Sequence, residues 1–125
     1  DDADLDAAAE GAVVGAYWNC GQDCTAVTRA YVPQEKHEKF LHLVLSKVKK
    51  FRLGNPQSEE TDMGPMISAR QRERVEGYIR SGTEEGAKLI YGGNRPKGRA
   101  FDKGFFLPGR DRTARRKARS SSSPT

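Results

Sequence analysis

After Pro108 this chain carries no large aliphatic or aromatic side chain, and that limit fixes how much of it can fold. Residues 109–125 hold Arg110, Arg112, Arg115, Arg116, Lys117 and Arg119 against the single acid Asp111, followed by four serines. Such a segment cannot bury enough apolar surface to offset its ordering entropy, so a disordered, basic, Arg/Ser-rich tail is expected over 109–125 and a folded unit over 1–108. The tail also holds the whole net charge of +5, because the first 108 residues carry 16 basic and 16 acidic groups. A neutral body has no basic face to offer, and six cations without interleaved aromatics give only a salt-sensitive, sequence-blind attraction. No specific nucleic-acid partner is expected. No apolar run approaches the roughly 20 residues that cross a bilayer, so no membrane partner is expected either. Without a signal-like start, and with only Cys20 and Cys24, the chain reads as a cytoplasmic protein with reduced thiols.

Within 1–108 the apolar spacing predicts about three helices and a few short strands, an α/β composition. The first helix starts at Asp4 as N-cap, with Asp6 in the first turn and Leu5, Ala8, Ala9, Ala12, Val13, Ala16 and Tyr17 at helical spacing. Gly21 is its expected stop. Thr28 to Val32 reads as a short strand. A second helix begins near Gln34, with Phe40, Leu41, Val44, Leu45, Val48 and Phe51 on one face and Gly54-Asn55-Pro56 at its end. Ser68 and Gln71 form a capping-box pattern before a third helix carrying Val75, Tyr78 and Ile79, which Gly82 and Gly86 close. Ala87 to Tyr91 and Phe105 to Leu107 are further strand candidates.

The chemistry of the chain is concentrated in Trp18-Asn19-Cys20-Gly21-Gln22-Asp23-Cys24-Thr25-Ala26, where a thiol follows a glycine-opened turn. This stretch resembles the active-site signature of the NAD(P)-dependent aldehyde dehydrogenases, in which a helix ends in aromatic-Asn-x-Gly-Gln-x-Cys. The order of later segments resembles one continuous piece of that family's catalytic domain: Arg29-Ala-Tyr-Val, Leu53-Gly-Asn-Pro, Asp62-Met-Gly-Pro-Met-Ile, Ala87-Lys-Leu-Ile-Tyr-Gly-Gly and Gly104-Phe-Phe-Leu-Pro. Residues 1–108 are thus expected to form a partial aldehyde dehydrogenase catalytic domain. The wording Gly-Gln-Asp-Cys-Thr-Ala most resembles the branch acting on aminoaldehydes such as 4-aminobutanal.

The resemblance implies that Cys24 is the nucleophile that converts an aldehyde to a carboxylic acid through a thiohemiacetal and a thioester. A thiolate suits that attack, and donors must face the oxyanion it creates. One implied donor is the backbone N–H of Cys24. Trp18, Asp23 and Thr25 match positions that line the aldehyde tunnel in relatives, with Asp23 a candidate partner for a cationic amine. The alternative for Tyr17 and Trp18 is a role as ordinary core aromatics, and for Asp23 that of a solvated turn residue. NAD or NADP is implied as acceptor, but no Gly-rich strand-to-helix turn is present. The family's Glu-Leu-Gly-Gly base motif and its Glu-Glu-x-Phe-Gly-Pro ribose contact are likewise missing from these 125 residues. No cofactor-binding residue is therefore assigned, and the chain alone is expected to be incompetent for turnover. Intact relatives are homo-oligomers by the same resemblance, and self-association of the fragment is expected.

Two other readings use the same residues. Cys20-x3-Cys24-x12-His37-x4-His42 has two-cysteine, two-histidine zinc spacing. A finger would need large apolar residues where Thr28 and Gln34 stand and a helix through Pro33, so no metal ligand is assigned. The other is a non-catalytic fragment that acts by association or through its basic tail.

Overall fold

A computed structural model of the chain describes residues 2–108 and, as backbone alone, 111–113. Three helices carry the fold: α1, Leu5–Tyr17; α2, His37–Val48, entered through a 3₁₀ turn at Gln34–Lys36; and α3, Ala69–Glu84. Strand β1, Lys88–Tyr91, follows α3 and pairs antiparallel with β2, Asp111–Thr113.

The caps form as the sequence dictates. The Asp4 carboxylate accepts from the N–H groups of Asp6 and Ala7 at 2.8 and 3.2 Å, and the Ser68 hydroxyl accepts from Gln71 N–H at 3.2 Å. Each satisfies donors that the first helical turn leaves without a partner. Gly86, at φ 89°, terminates α3, while Gly82 lies within it.

The core is the seam between α1 and α2. Ala9 and Val13 are buried against Val44 and Val48, with Tyr17, Phe40, Leu43, Phe51 and Tyr91 packed around them. Lys47 lays its stem along that seam and sends Nζ to Glu10 at 2.7 Å and Asp6 at 3.1 Å, tying the C-terminal turn of α2 to the start of α1. Outside this seam Met63, Met66, Phe106 and Leu107 are also buried, and Phe101 stands edge-on to Phe106 at 5.2 Å.

Several boundaries depart from the sequence expectation. α2 stops at Val48 rather than at Gly54-Asn55-Pro56. Its last turn tightens through Lys50 and Phe51 N–H, and Arg52 N–H is captured by the Asp62 carboxylate at 2.8 Å. α1 stops at Tyr17, and Gly21 ends a separate turn. Thr28–Val32 is extended chain rather than a strand, since no strand among the described residues runs beside it to complete a ladder. Phe105–Leu107 contributes one bridge, Phe105 to Met66, in place of a strand. Within the expected tail, 111–113 forms β2, because ladder pairing uses backbone groups and needs no apolar side chain. The rest of 109–125, and with it the reading of a tail-mediated activity, lies outside the described residues.

Candidate active site

The chain leaves α1 through three consecutive left-handed residues, Asn19 at φ 50°, Cys20 at φ 60° and Gly21 at φ 71°. Glycine takes this conformation freely, whereas asparagine and cysteine occupy it at a cost. The reversal is closed by Gln22 N–H donating to Asn19 O at 3.0 Å and by Asn19 Nδ2 donating to Gln22 O at 3.2 Å.

Asp23 then builds a second, tighter turn. Its Oδ1 accepts from both the N–H and the hydroxyl of Thr25 at 2.8 Å each, and its carbonyl accepts from Ala26 N–H at 3.2 Å. The Thr25 N–H and Thr25 hydroxyl hydrogen bonds hold the Asp23 carboxyl below the usual carboxylate range. Cys24 therefore sits exposed at the apex of an aspartate-closed turn. Thr25 and Ala26 N–H are taken by Asp23, and no acceptor among the described residues claims the N–H of Cys24. Val27 N–H donates to Gly15 O at 2.9 Å, returning the chain to α1 where only a glycine leaves room, since a Cβ at Gly15 would stand 2.7 Å from Val27 Cγ2.

Cys20 has a different setting. It is half-buried and donates to Gly64 O at 3.3 Å, and burial pushes its thiol pKa up. A cleft of about 600 Å³ opens beside it, bordered by Asn19, Gly64, Pro65, Ile67 and Phe105. Cys24 is not part of that lining.

Of the residues expected at the site, Asp23, Cys24 and Thr25 share one hydrogen-bonded turn. Trp18 lies on the helix-exit side of the reversal and is 68% exposed, so the indole is not a core aromatic among the described residues. Among the described residues no three His, Cys, Asp or Glu side chains form a metal-holding group. His37 instead opens α2 and approaches Glu38 at 3.2 Å. Sequence reasoning gave no role to Asn19 and Gln22, although both stand in the motif; Asn19 closes the reversal locally, and Gln22 reaches Ile67 across the fold, where spacing is silent.

A dinucleotide turn would follow a strand such as β1, which runs into Gly92-Gly93. Both glycines have positive φ, but the next element is a 3₁₀ turn at Arg99–Phe101 rather than a helix whose N-terminus receives a pyrophosphate. This junction therefore offers no helix N-terminus to a pyrophosphate.

The aldehyde dehydrogenase family profile matches residues 1–109. Betaine aldehyde dehydrogenases from Brucella ovis and Brucella abortus are 46% identical over 107 residues, which is 86% of this chain and 22% of each relative. The chain thus spans about a fifth of the length of these curated relatives. Among solved structures, Staphylococcus aureus betaine aldehyde dehydrogenase, an apo variant with a BME-modified cysteine, superposes with a TM-score of 0.87 at 36% identity, covering 91% of this chain and 23% of that one. The same enzyme in complex with NAD+ gives 0.86 at 36% identity, with 90% and 22% covered. A 3,6-anhydro-L-galactose dehydrogenase gives 0.86 at 33% identity, with 90% and 24% covered. The Brucella and Staphylococcus aureus relatives carry the betaine aldehyde name rather than that of the 4-aminobutanal branch; six residues around a nucleophile do not encode the pocket that reads the far end of a substrate. The motif, the turn that bears it and the match along nearly all of the folded unit agree, and the chain belongs to the aldehyde dehydrogenase family.

Proposed function

We propose that this chain carries the nucleophile segment of an NAD(P)-dependent aldehyde dehydrogenase acting on an aldehyde with a cationic nitrogen. Betaine aldehyde is the first substrate to test, from the names of the relatives, and 4-aminobutanal the second, from the motif wording. The observation that carries the reading is Cys24, exposed at the apex of its turn, its own N–H claimed by no acceptor among the described residues. With the thiol proton released to the solvent that reaches the exposed Cys24, the sulfur electron pair forms the S–C bond and the carbonyl π pair moves to oxygen. The Cys24 N–H is available to that oxygen as one oxyanion donor. Asp23 and Thr25 shape the turn, and the Asp23 carboxylate is already engaged there, which favours a local role over direct capture of a substrate cation. A nicotinamide cofactor, where one is bound, supplies the hydride acceptor; these residues do not build its site, so no step is assigned through it.

The test replaces the matching segment of the Staphylococcus aureus enzyme with residues 1–108. NADH formation with betaine aldehyde is expected, and Cys24→Ala is expected to lower kcat by about 10³-fold or more, as for other nucleophile deletions. A folded chimera whose activity survives Cys24→Ala would refute the assignment. The unmodified 125-residue chain is expected to give no NADH with either aldehyde. A second reading, association without catalysis, draws on the exposed Trp18, Tyr31, Ile67 and Phe105.

A further inference from the structure

The loop Gly64–Ile67 lies some forty residues beyond the Cys24 turn, yet two side chains of the left-handed reversal just before that turn end on its backbone. Cys20 Sγ donates to Gly64 O at 3.3 Å, and Gln22 Oε1 accepts from Ile67 N–H at 3.2 Å. The loop itself is firmly held. Met63 and Met66 are buried, Met66 N–H donates to Phe105 O at 3.0 Å, and Gly54 N–H donates to Met63 O at 3.1 Å. The turn, by contrast, contains two non-glycine residues in a conformation that needs support from outside.

We propose that Gln22 is a positioning residue for Cys24: with Cys20 it clamps the left-handed turn to the Gly64–Ile67 loop, so that this distant loop sets where the thiol stands. Released from the clamp, Asn19 and Cys20 return to right-handed conformations, α1 runs on past Tyr17, and Cys24 is carried away from its turn. The inference rests on the reading of Cys24 as the nucleophile for its functional meaning, but the clamp itself is a matter of hydrogen bonds. The two bonds have opposite sense, a thiol donating into the loop and an amide donating out of it, which fixes the register of turn against loop.

The experiment uses the full 125-residue chain with Gln22→Ala and Gln22→Glu, the latter retaining an acceptor oxygen. Three readouts apply: backbone NMR shifts of Asn19 and Cys20, amide exchange at Ile67, and iodoacetamide labelling of Cys20 relative to Cys24. In Gln22→Ala the Asn19 and Cys20 shifts should move toward helical values and Ile67 should exchange faster. Cys20 labelling should rise roughly fivefold relative to Cys24, the shift in population expected for losing one net hydrogen bond. Gln22→Glu should keep all three near wild type. Unchanged Ile67 exchange and Cys20 labelling in Gln22→Ala, or Gln22→Glu behaving like Gln22→Ala, would overturn the clamp. So would loss of amide protection through both α1 and α2, since Gln22 would then be holding the fold rather than the turn. No readout uses an aldehyde or a cofactor, so failure here leaves the chimera experiment on Cys24 untouched.

Discussion

Two thiols four positions apart experience different physics. Cys24 is exposed at a turn apex, while Cys20 is half-buried with its proton directed to Gly64 O. Limited iodoacetamide treatment at neutral pH is expected to modify Cys24 first, and peptide mapping that found Cys20 ahead would count against the site. The Cys20 shift also carries a pH signature. Its folded-state pKa lies above the ordinary value near 9.0, chiefly from burial, so the thiol form favours folding. That contribution is complete below the unfolded-state pKa and is lost as pH rises through the folded-state value. Ile67 amide protection, corrected for intrinsic exchange, should therefore fall on the alkaline side of pH 9 and recover in Cys20→Ser, whose hydroxyl stays protonated there. Asp62 has the opposite sign. The Arg52 side chain, then its N–H, lower the Asp62 pKa, so its contribution is present above the unfolded carboxylate range and is lost in acid. At this scale the sequence identified Cys24 and its neighbours Asp23 and Thr25. It did not reveal that the Asp23 carboxylate is spent on its own turn, because one-dimensional order does not show where a carboxylate points.

Elements with strong local signals formed where the sequence put them. Asp4 and Ser68 cap α1 and α3, and the stripe of Val44 and Val48 meets that of Ala9 and Val13. Val13→Ala should destabilise the α1–α2 pair by about 2 kcal/mol, from lost burial plus the space left behind. A denaturant or thermal midpoint within error of wild type would show that this seam is not the core. Where elements end was less legible. α2 stops short of its glycine because the Asp62 carboxylate, ten residues on, takes Arg52 N–H. Thr28–Val32 has strand composition but no neighbouring strand among the described residues, and composition cannot supply one.

At the scale of the molecule, the described residues build a small seam core and leave large apolar groups uncovered. Tyr31 and Ile67 are 82% and 81% exposed, and no residue of α3 is buried. Large side chains this uncovered, in a chain with so small a core, give copies of it apolar surface to bury against one another. The purified chain is expected to bind ANS and to elute with an apparent mass that rises with concentration. A dye-silent monomer with a sharp cooperative melt would show a self-sufficient domain instead. No helix among the described residues is long and apolar enough to cross a membrane. The sequence alone determined the helices, their caps and the family signature, and singled out Cys24 as the candidate nucleophile, because each is encoded in residues within one or two turns of one another. Only the tertiary structure decided that α1 yields to a left-handed turn, that Gln22 and Cys20 hold this turn on the Gly64–Ile67 loop, and that Asp23 serves Thr25. Those outcomes depend on hydrogen bonds between groups brought together from distant positions, or on the direction of a side chain, and neither has a spacing that a sequence can display.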